Sequence, residues 1–268
     1  MTVLWQPDIP ATDRGLAYGD GCFETLRFHD GRFPLAACHR RRLCEGAARL
    51  GIPLQSADFD RALDEARGRA DAGVLKLVLT RGSGGRGYAA PARPSPRLLC
   101  SLHPLPQWSA AVRREGLELI LSPVHLADQP ALAGIKHLNR LEQVTARLAA
   151  DRVGADEALM TDSGGRPVEL TAMNILARFG NRLWTAPLHR CGVAGVAREH
   201  LLSVLAPEAG LDVEIRPRTL SQLRAADEVF ACNSVAGILP VRKLGLWRWP
   251  AGEVTRALQA ALERLWES

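Results

Sequence analysis

The sequence predicts an α+β fold in two domains, the second built on a largely antiparallel sheet that is compatible with a barrel. Three observations lead there. Short apolar runs at Glu157 to Thr161, Val168 to Thr171, Asn174 to Phe179 and Arg182 to Thr185 are separated by Asp162-Ser-Gly-Gly165 and Gly180-Asn181. Hairpins spaced so closely favour antiparallel pairing over a doubly wound sheet. Helical periodicity recurs over residues 35–50, 58–71, 197–205 and 253–266, interleaved with those strands. Finally, His103-Pro-Leu-Pro-Gln107 carries two prolines and little patterning, as a linker does. The expected division is 1–105, a linker at 106–112, and 113–268.

Cys22 to Phe28 reads as a strand, with Asp30-Gly31 as a hairpin turn into Arg32-Phe33. The helix over 35–50 is closed by Gly51, with Pro53 beyond. A second helix opens at Asp58 and ends near Gly73. Val74 to Thr80 and Arg97 to Leu102 read as strands around a loop of glycine and proline. In the second half, Leu117 to Leu121 and Glu228 to Cys232 are further strands. Ile135, Leu138, Leu141, Val144 and Leu148 recur every three or four residues and predict a helix with those five facing a core.

Composition narrows the function. Of 268 residues, 47% are hydrophobic and 24% charged, as in soluble globular proteins. No run of about 18 apolar residues is present, so no membrane span is expected. The start, Met1-Thr-Val-Leu-Trp-Gln-Pro, lacks a signal-peptide pattern, and the cytoplasm is the expected location. The six cysteines form no C-x-x-C and do not group with histidines, so no metal site is expected. A net charge of +5 is spread among interleaved acids, with 5% aromatic residues. No stacking platform for nucleic acid stands out, and the excess of arginine fits small anionic ligands equally well.

The chain has only three lysines, Lys76, Lys136 and Lys243. Lys76 lies in the strand 74–80, and Lys243 beside Gly245 reads as a surface turn. Lys136 falls on the first turn of the predicted helix, beside its packed face. A partly desolvated amine there is a candidate nucleophile, although the spacing alone leaves a solvated lysine open. Glu169, in Pro167-Val-Glu-Leu-Thr-Ala-Met-Asn174, alternates with Val168 and Leu170, which leaves a solvent-face carboxylate open as well. Cys191-Gly-Val-Ala-Gly-Val-Ala-Arg198 is a glycine turn entering a helix, where the amides of Val196 and Ala197 would face an anion. Arg42 lies in His39-Arg-Arg-Arg-Leu43, and Ser234 in the loop after strand 228–232. Arg81-Gly-Ser-Gly-Gly-Arg-Gly-Tyr88 is neither a Walker loop nor a dinucleotide fingerprint. Its ordinary use is a flexible hairpin tip. Its functional use is to bring arginines to a carboxylate.

The Lys136 segment Ala133 to Gln143, the string Arg81 to Tyr88 and Leu121-Ser-Pro-Val-His-Leu126 resemble the aminodeoxychorismate lyases. These are fold-type IV pyridoxal-phosphate enzymes, grouped with branched-chain and D-amino-acid aminotransferases. The resemblance runs from Asp13 to about Val241. It implies a D-amino-acid-aminotransferase-like architecture, with a smaller N-terminal α/β sandwich and a larger C-terminal domain holding a barrel-like sheet. It implies that Lys136 forms the Schiff base with pyridoxal 5'-phosphate and that Glu169 pairs with the pyridine nitrogen. Arg42, Val196 and Ala197 would hold the phosphate, with Ala197 standing where relatives often carry threonine, and Ser234 would contact the phosphate or the substrate. Arg81, Arg86, Tyr88, Tyr18 and Asn139 would contact the substrate, 4-amino-4-deoxychorismate, in a homodimer. The implied products are 4-aminobenzoate and pyruvate. The alternatives are an aminotransferase of branched-chain or D-amino acids, and more remotely a basic anion-binding module without catalysis.

Overall fold

The computed structural model describes residues 2–5 and 8–267. Two compact units emerge. The smaller ends at Leu105 and also takes in Ile135–Asn139; the larger comprises Pro106–Gly134 and Arg140 onward.

The smaller unit contains β1 (Thr2–Trp5), α1 (Arg14–Tyr18), β2 (Gly21–His29), α2 (Ala36–Leu50), α3 (Ser56–Arg67), β3 (Ala72–Thr80) and β4 (Arg97–His103). Its sheet runs β1-β4-β3-β2, so β2 is an edge. Alternation sends Cys22, Leu26 and Phe28 of β2, and Leu75, Leu77 and Leu79 of β3, into one core with Leu43 and Ala47 of α2 and Phe59 and Leu63 of α3. Each such leucine, fully buried, is worth roughly 2 kcal/mol. Asp30 and Gly31 both take positive φ, which a tight hairpin turn needs. Only the single bridge His29–Arg32 follows it, and β2 pairs along its length with β3 instead.

The larger unit contains α4 (Ala110–Glu115), β5 (Leu117–Leu121), α5 (Leu141–Arg152), β6 (Glu157–Thr161), β7 (Pro167–Leu170), β8 (Asn174–Phe179), β9 (Arg182–Thr185), α6 (Val196–His200), α7 (Ala206–Glu208), β10 (Asp212–Ile215), α8 (Leu220–Arg224), β11 (Glu228–Asn233), β12 (Gly237–Leu244), β13 (Trp247–Arg248) and α9 (Glu253–Glu263). A π turn, Leu201–Leu205, joins α6 to α7 as one helical run. The strands β8-β11-β12-β5-β6-β7 follow one another, and the pair Glu169–Asn174 returns β7 to β8. Six strands thus close into a barrel, with β9 and β10 extending beyond β8. Pairing is mixed rather than antiparallel throughout, because β5 lies parallel to both β6 and β12. The β5-to-β6 connection spans α5, and crossovers of that length make parallel neighbours. No helix among the described residues is long and apolar enough to cross a membrane.

Four expectations change. Lys136 is not on a helix: α5 starts only at Leu141. The residues before it bond through their backbone to β2, which leaves those groups unavailable to a helical turn. The expected core stripe is also partly outside, since Leu141, Val144 and Leu148 are 79%, 50% and 52% exposed. Gln143, Ala146 and Ala150 are the side of α5 that packs. The expected linker 106–112 contains the start of α4, whose first turn is capped by the Ser109 hydroxyl accepting from Val112 N at 3.1 Å. Lys243 lies within β12 rather than on a turn, and pairs with Glu118 at 2.9 Å.

Candidate active site

Lys136 is held by its main chain. In the smaller unit its carbonyl accepts from Phe23 N at 2.9 Å, and Leu138 N donates to Gly21 O at 3.0 Å. With the Cys22–His137 bridge, residues 136–138 add a short antiparallel piece to the edge of β2. Ile135 is buried beside Gly46, where an added Cβ would come within 3.2 Å of it. Asn139 Nδ2 donates to Gly19 O at 3.2 Å, so this expected substrate contact braces the αL residue that ends α1. The Lys136 amine lies 4.4 Å from the centroid of the Phe23 ring.

The same strand carries a buried acid. Glu24 shares the inward face of β2 with Cys22, Leu26 and Phe28, and is fully buried. Arg42 grips it with two bonds, Nε to Oε1 at 2.7 Å and Nη2 to Oε2 at 2.5 Å. His39 Nδ1 reaches Oε2 at 2.6 Å. Burial pushes the Glu24 carboxyl up, but Arg42 and His39 outweigh it and hold it at about 2. Burial pulls His39 below its usual value, more than Glu24 raises it, so its ring is neutral and Nδ1 donates. Arg42, expected at a phosphate, is therefore oriented by a carboxylate and an imidazole that sequence reasoning had left without a role. One signal was readable: Glu24 is the lone acid on the apolar face of a strand.

In the larger unit, Glu169 is 4% exposed, not on a solvent face. Both faces of this part of the sheet are covered. Leu159 and Leu170 lie in the main core, while Ala158, Met160 and Val168 pack with Ala146 and Ala150 of α5. Glu169 Oε2 accepts from Val193 N at 2.8 Å, and Asn174 Nδ2 donates to Val193 O at 2.9 Å. Two side chains on paired strands thus fix the loop before α6. Gly134 joins it from the other side, donating to Gly192 O at 2.9 Å and accepting from Ala194 N at 3.1 Å. A Cβ on Gly192 would come 3.1 Å from Glu169 Oε2, and one on Gly195 would come 1.9 Å from Asn174 Oδ1. The loop closes over both residues only because glycine is there.

That loop delivers Val196 and Ala197 at the start of α6, both at least 98% buried. Their N–H groups have no acceptor among the described residues. Adjacent buried amides without acceptors cost free energy unless an anion takes them. Ser234, half-buried, sits in the turn between β11 and β12. Asn233 holds this turn: Oδ1 accepts from Val235 N and Ala236 N at 2.9 and 2.7 Å, and Nδ2 donates to Ala172 O at 3.1 Å. Glu157 secures the adjoining turn, accepting from Thr171 N at 3.1 Å and Thr171 Oγ1 at 2.7 Å. Burial raises the Glu157 carboxyl above its usual range, and these bonds offset that only in part. Asn174, which ends the quoted Pro167–Asn174 motif, and Asn233, next to Ser234, were not given a role from sequence.

The glycine string departs from expectation. Arg81 is 8% exposed and spends its donors inside the protein. Nε and Nη2 take the two Asp20 oxygens at 2.7 and 3.0 Å, while Nη1 and Nη2 reach Gly51 O and Leu50 O at 2.7 and 2.6 Å. It fastens the end of α2, with these donors engaged within the protein. Arg14 also holds Asp20, and gathers the carbonyls of Gly87, Tyr88 and Ala89. Burial raises the Asp20 carboxyl, but Arg81 and Arg14 hold it below the usual range. The loop is clamped, not a flexible tip. It presents Arg86 and Tyr88 to solvent, and Tyr88 packs edge-on at 5.5 Å against Tyr18. Replacing Arg81 by methionine is expected to lower stability by about 2–4 kcal/mol, read from the urea midpoint. A change in KM at unchanged midpoint would instead put Arg81 at the substrate.

The chain is similar to several known proteins. The amino-transferase class IV model matches residues 21–244. An aminodeoxychorismate lyase of Vibrio harveyi is 33% identical over 97% of each chain. A D-alanine aminotransferase of Bacillus licheniformis is 29% identical over 94% of this chain and 89% of its own. The crystal structure of 4-amino-4-deoxychorismate lyase from Pseudomonas aeruginosa superposes with a TM-score of 0.92 at 45% identity, covering 96% of this chain and 95% of that one. On the family match and these likenesses, the chain belongs to the class IV aminotransferase family.

Proposed function

We propose that this protein is a pyridoxal-phosphate-dependent lyase that converts 4-amino-4-deoxychorismate to 4-aminobenzoate and pyruvate. The observation that carries the reading is one loop bearing two functions. Its Val193 amide binds the buried Glu169 carboxylate, and three residues on begins the pair of acceptorless amides, Val196 and Ala197. A carboxylate for a ring nitrogen and a receptor for a phosphate are what this cofactor needs from a protein. The 45% and 33% identities to lyases support this substrate over an amino acid.

The loop from Val193 to Ala197 suits the cofactor. Lys136 would carry it covalently, Glu169 would keep a proton on the ring nitrogen, and Val196, Ala197, Ser234 and Arg42 would hold the phosphate. The bound cofactor supplies an electron sink for the pair released when the carbon beside the substrate amine loses its proton. Lys136 takes that proton. As the ring becomes aromatic, the neighbouring carbon–oxygen bond breaks, and the enolpyruvate released gains a proton to become pyruvate. Ala197 offers no hydroxyl, so the hold on the phosphate rests more on main-chain donors. Gly195→Ala is then expected to weaken cofactor binding about tenfold, roughly 1.4 kcal/mol, because its Cβ would displace Asn174. Absorbance titration of the stripped protein with pyridoxal phosphate measures this.

The test of function is incubation of the pure protein with 4-amino-4-deoxychorismate and no keto acid. Equal release of pyruvate and 4-aminobenzoate is expected. Turnover only with an amino acid and a keto acid would make the protein an aminotransferase of branched-chain or D-amino acids. We take its partner in solution to be a second copy, supported by the exposed Leu141, Val144 and Leu148 on α5, and its place to be the cytoplasm. Sedimentation at twice the 29.1 kDa chain mass would be expected.

A further inference from the structure

Arg14 opens α1 and is 4% exposed. Its main chain and its side chain hold different parts of the loop between β3 and β4. At the root, Arg14 N donates to Gly82 O at 3.0 Å, Gly84 N donates to Thr12 O at 3.2 Å, and Asp13 bridges to Ser83. The stem of the side chain runs against the loop, since a Cβ on Gly84 would come 2.8 Å from Arg14 Cδ. At the tip, Nη1 donates to Gly87 O at 3.1 Å and Ala89 O at 3.2 Å, and Nη2 donates to Tyr88 O at 2.9 Å. Among the described residues, 85–89 make no other hydrogen bond. One guanidinium holds the tip.

The same guanidinium sets two rings. Its carbon lies 4.9 Å from the centroid of the Tyr18 ring, within cation–π range. Tyr88, whose carbonyl it binds, packs edge-on against Tyr18 with ring centroids 5.5 Å apart. Arg14 Nε donates to Asp20 Oδ2 at 2.8 Å, and Arg81 fixes Asp20 in turn. That ion pair keeps the planar group aimed at the loop. A lysine ammonium gathers its three donors at one point and has no planar face, so it could not serve Asp20, three successive carbonyls and a ring together. Tyr88 is 87% exposed and Arg86 is exposed beside it, yet their backbone is tied down. Exposed groups held in this way lose less freedom on binding a ligand than the same groups on a loose tip.

We propose that Arg14 is the positioning residue of this tip: it holds Tyr88 against Tyr18 with Arg86 beside them, and so sets affinity for the substrate without taking part in proton transfer. The effect on affinity rests on the function proposed above and on these three side chains contacting the substrate, as the family resemblance implies. The hold itself belongs to the protein with or without its cofactor.

The chain has two tyrosines, Tyr18 and Tyr88, so tyrosine with labelled rings reports on this pair alone. In the full-length protein, a ring-to-ring NOE cross-peak is expected in wild type and its loss in Arg14→Met and Arg14→Lys. Native-state cleavage by trypsin after Arg86 should quicken by about tenfold or more in both, because the tip then opens without the rest of the fold. Arg14→Lys keeps a cation for Asp20 and stands alone if the methionine variant does not fold. In the holoenzyme, KM for 4-amino-4-deoxychorismate should rise about tenfold while kcat stays within about twofold, the pattern of binding lost equally from ground and transition states. A cross-peak and a cleavage rate like those of wild type would overturn the proposal. So would a released tip with KM unchanged, which leaves a structural clamp alone, or a fall in kcat at unchanged KM, which puts Arg14 at the chemistry. If wild type itself forms no 4-aminobenzoate, the proposed activity fails, and the cross-peak and the cleavage still decide the hold.

Discussion

Replacing Lys136 by alanine is expected to slow 4-aminobenzoate formation by at least about 10³-fold, because in the proposed function one side chain would both carry the cofactor and move the proton. Stability should change little. The backbone bonds that fix the segment, from Phe23 N to Lys136 O and from Leu138 N to Gly21 O, survive the truncation. The loss is therefore one of chemistry. Borohydride reduction of the wild-type holoenzyme, followed by peptide mapping, should mark Lys136 alone. Lys76 sits exposed on the outer face of β3, and Lys243 is tied to Glu118. A reduced cofactor found on either of those two, or normal turnover in the alanine variant, would defeat the proposed role. Partial rescue by a small added amine would locate the defect in the missing proton acceptor.

Replacing Glu24 by alanine is expected to destabilise the protein by about 3–5 kcal/mol, the cost of leaving a buried cation without its acid. Arg42 is only 12% exposed, and His39 is more buried still, so water cannot readily substitute. The pH dependence has a definite sign. The Glu24 carboxyl titrates at about 2 in the folded chain, against a reference of 4.5. Its contribution is therefore complete above 4.5 and is lost as the pH falls from there toward 2. Urea unfolding of wild type and Glu24→Gln should show a gap that is constant near neutrality and narrows through that window. A gap that does not depend on pH would mean that Glu24 is not ionised in the fold. Because Glu24 also orients Arg42, the same variants should bind pyridoxal phosphate more weakly, whereas a purely structural acid would leave affinity unchanged in the folded fraction.

What could be read in advance depended on how local the deciding interactions are. The hairpin joining β6 and β7 was legible because Asp162 and the two glycines after it specify their own turn. The one joining β8 and β9 was legible through Gly180 and Asn181 in the same way. The helix over 36–50 was legible because Gly51 stops it in the αL conformation. The Lys136 segment was misplaced as a helix. Ile135, Leu138, Leu141, Val144 and Leu148 have helical spacing, yet the first two belong to a piece that pairs with β2, more than a hundred positions away. No window of local sequence registers that pairing. Glu169 looked like a surface acid because alternation assumes one wet face, and its strand has none. Arg81 looked like a ligand because glycines flank it. Its partners, Asp20, Leu50 and Gly51, come from distant turns that only the fold brings together.

The assignment of Ile135–Asn139 to the smaller unit bears on how the protein is made. A ribosome finishes Leu105 some thirty residues before it reaches Lys136, so the early chain can assemble its four-stranded sheet while the flank of β2 is still bare. An unprotected flank of that kind is a place where nascent chains join one another. Expression as two fragments cut after Leu105 would make that interval permanent, stranding the lysine on the wrong fragment.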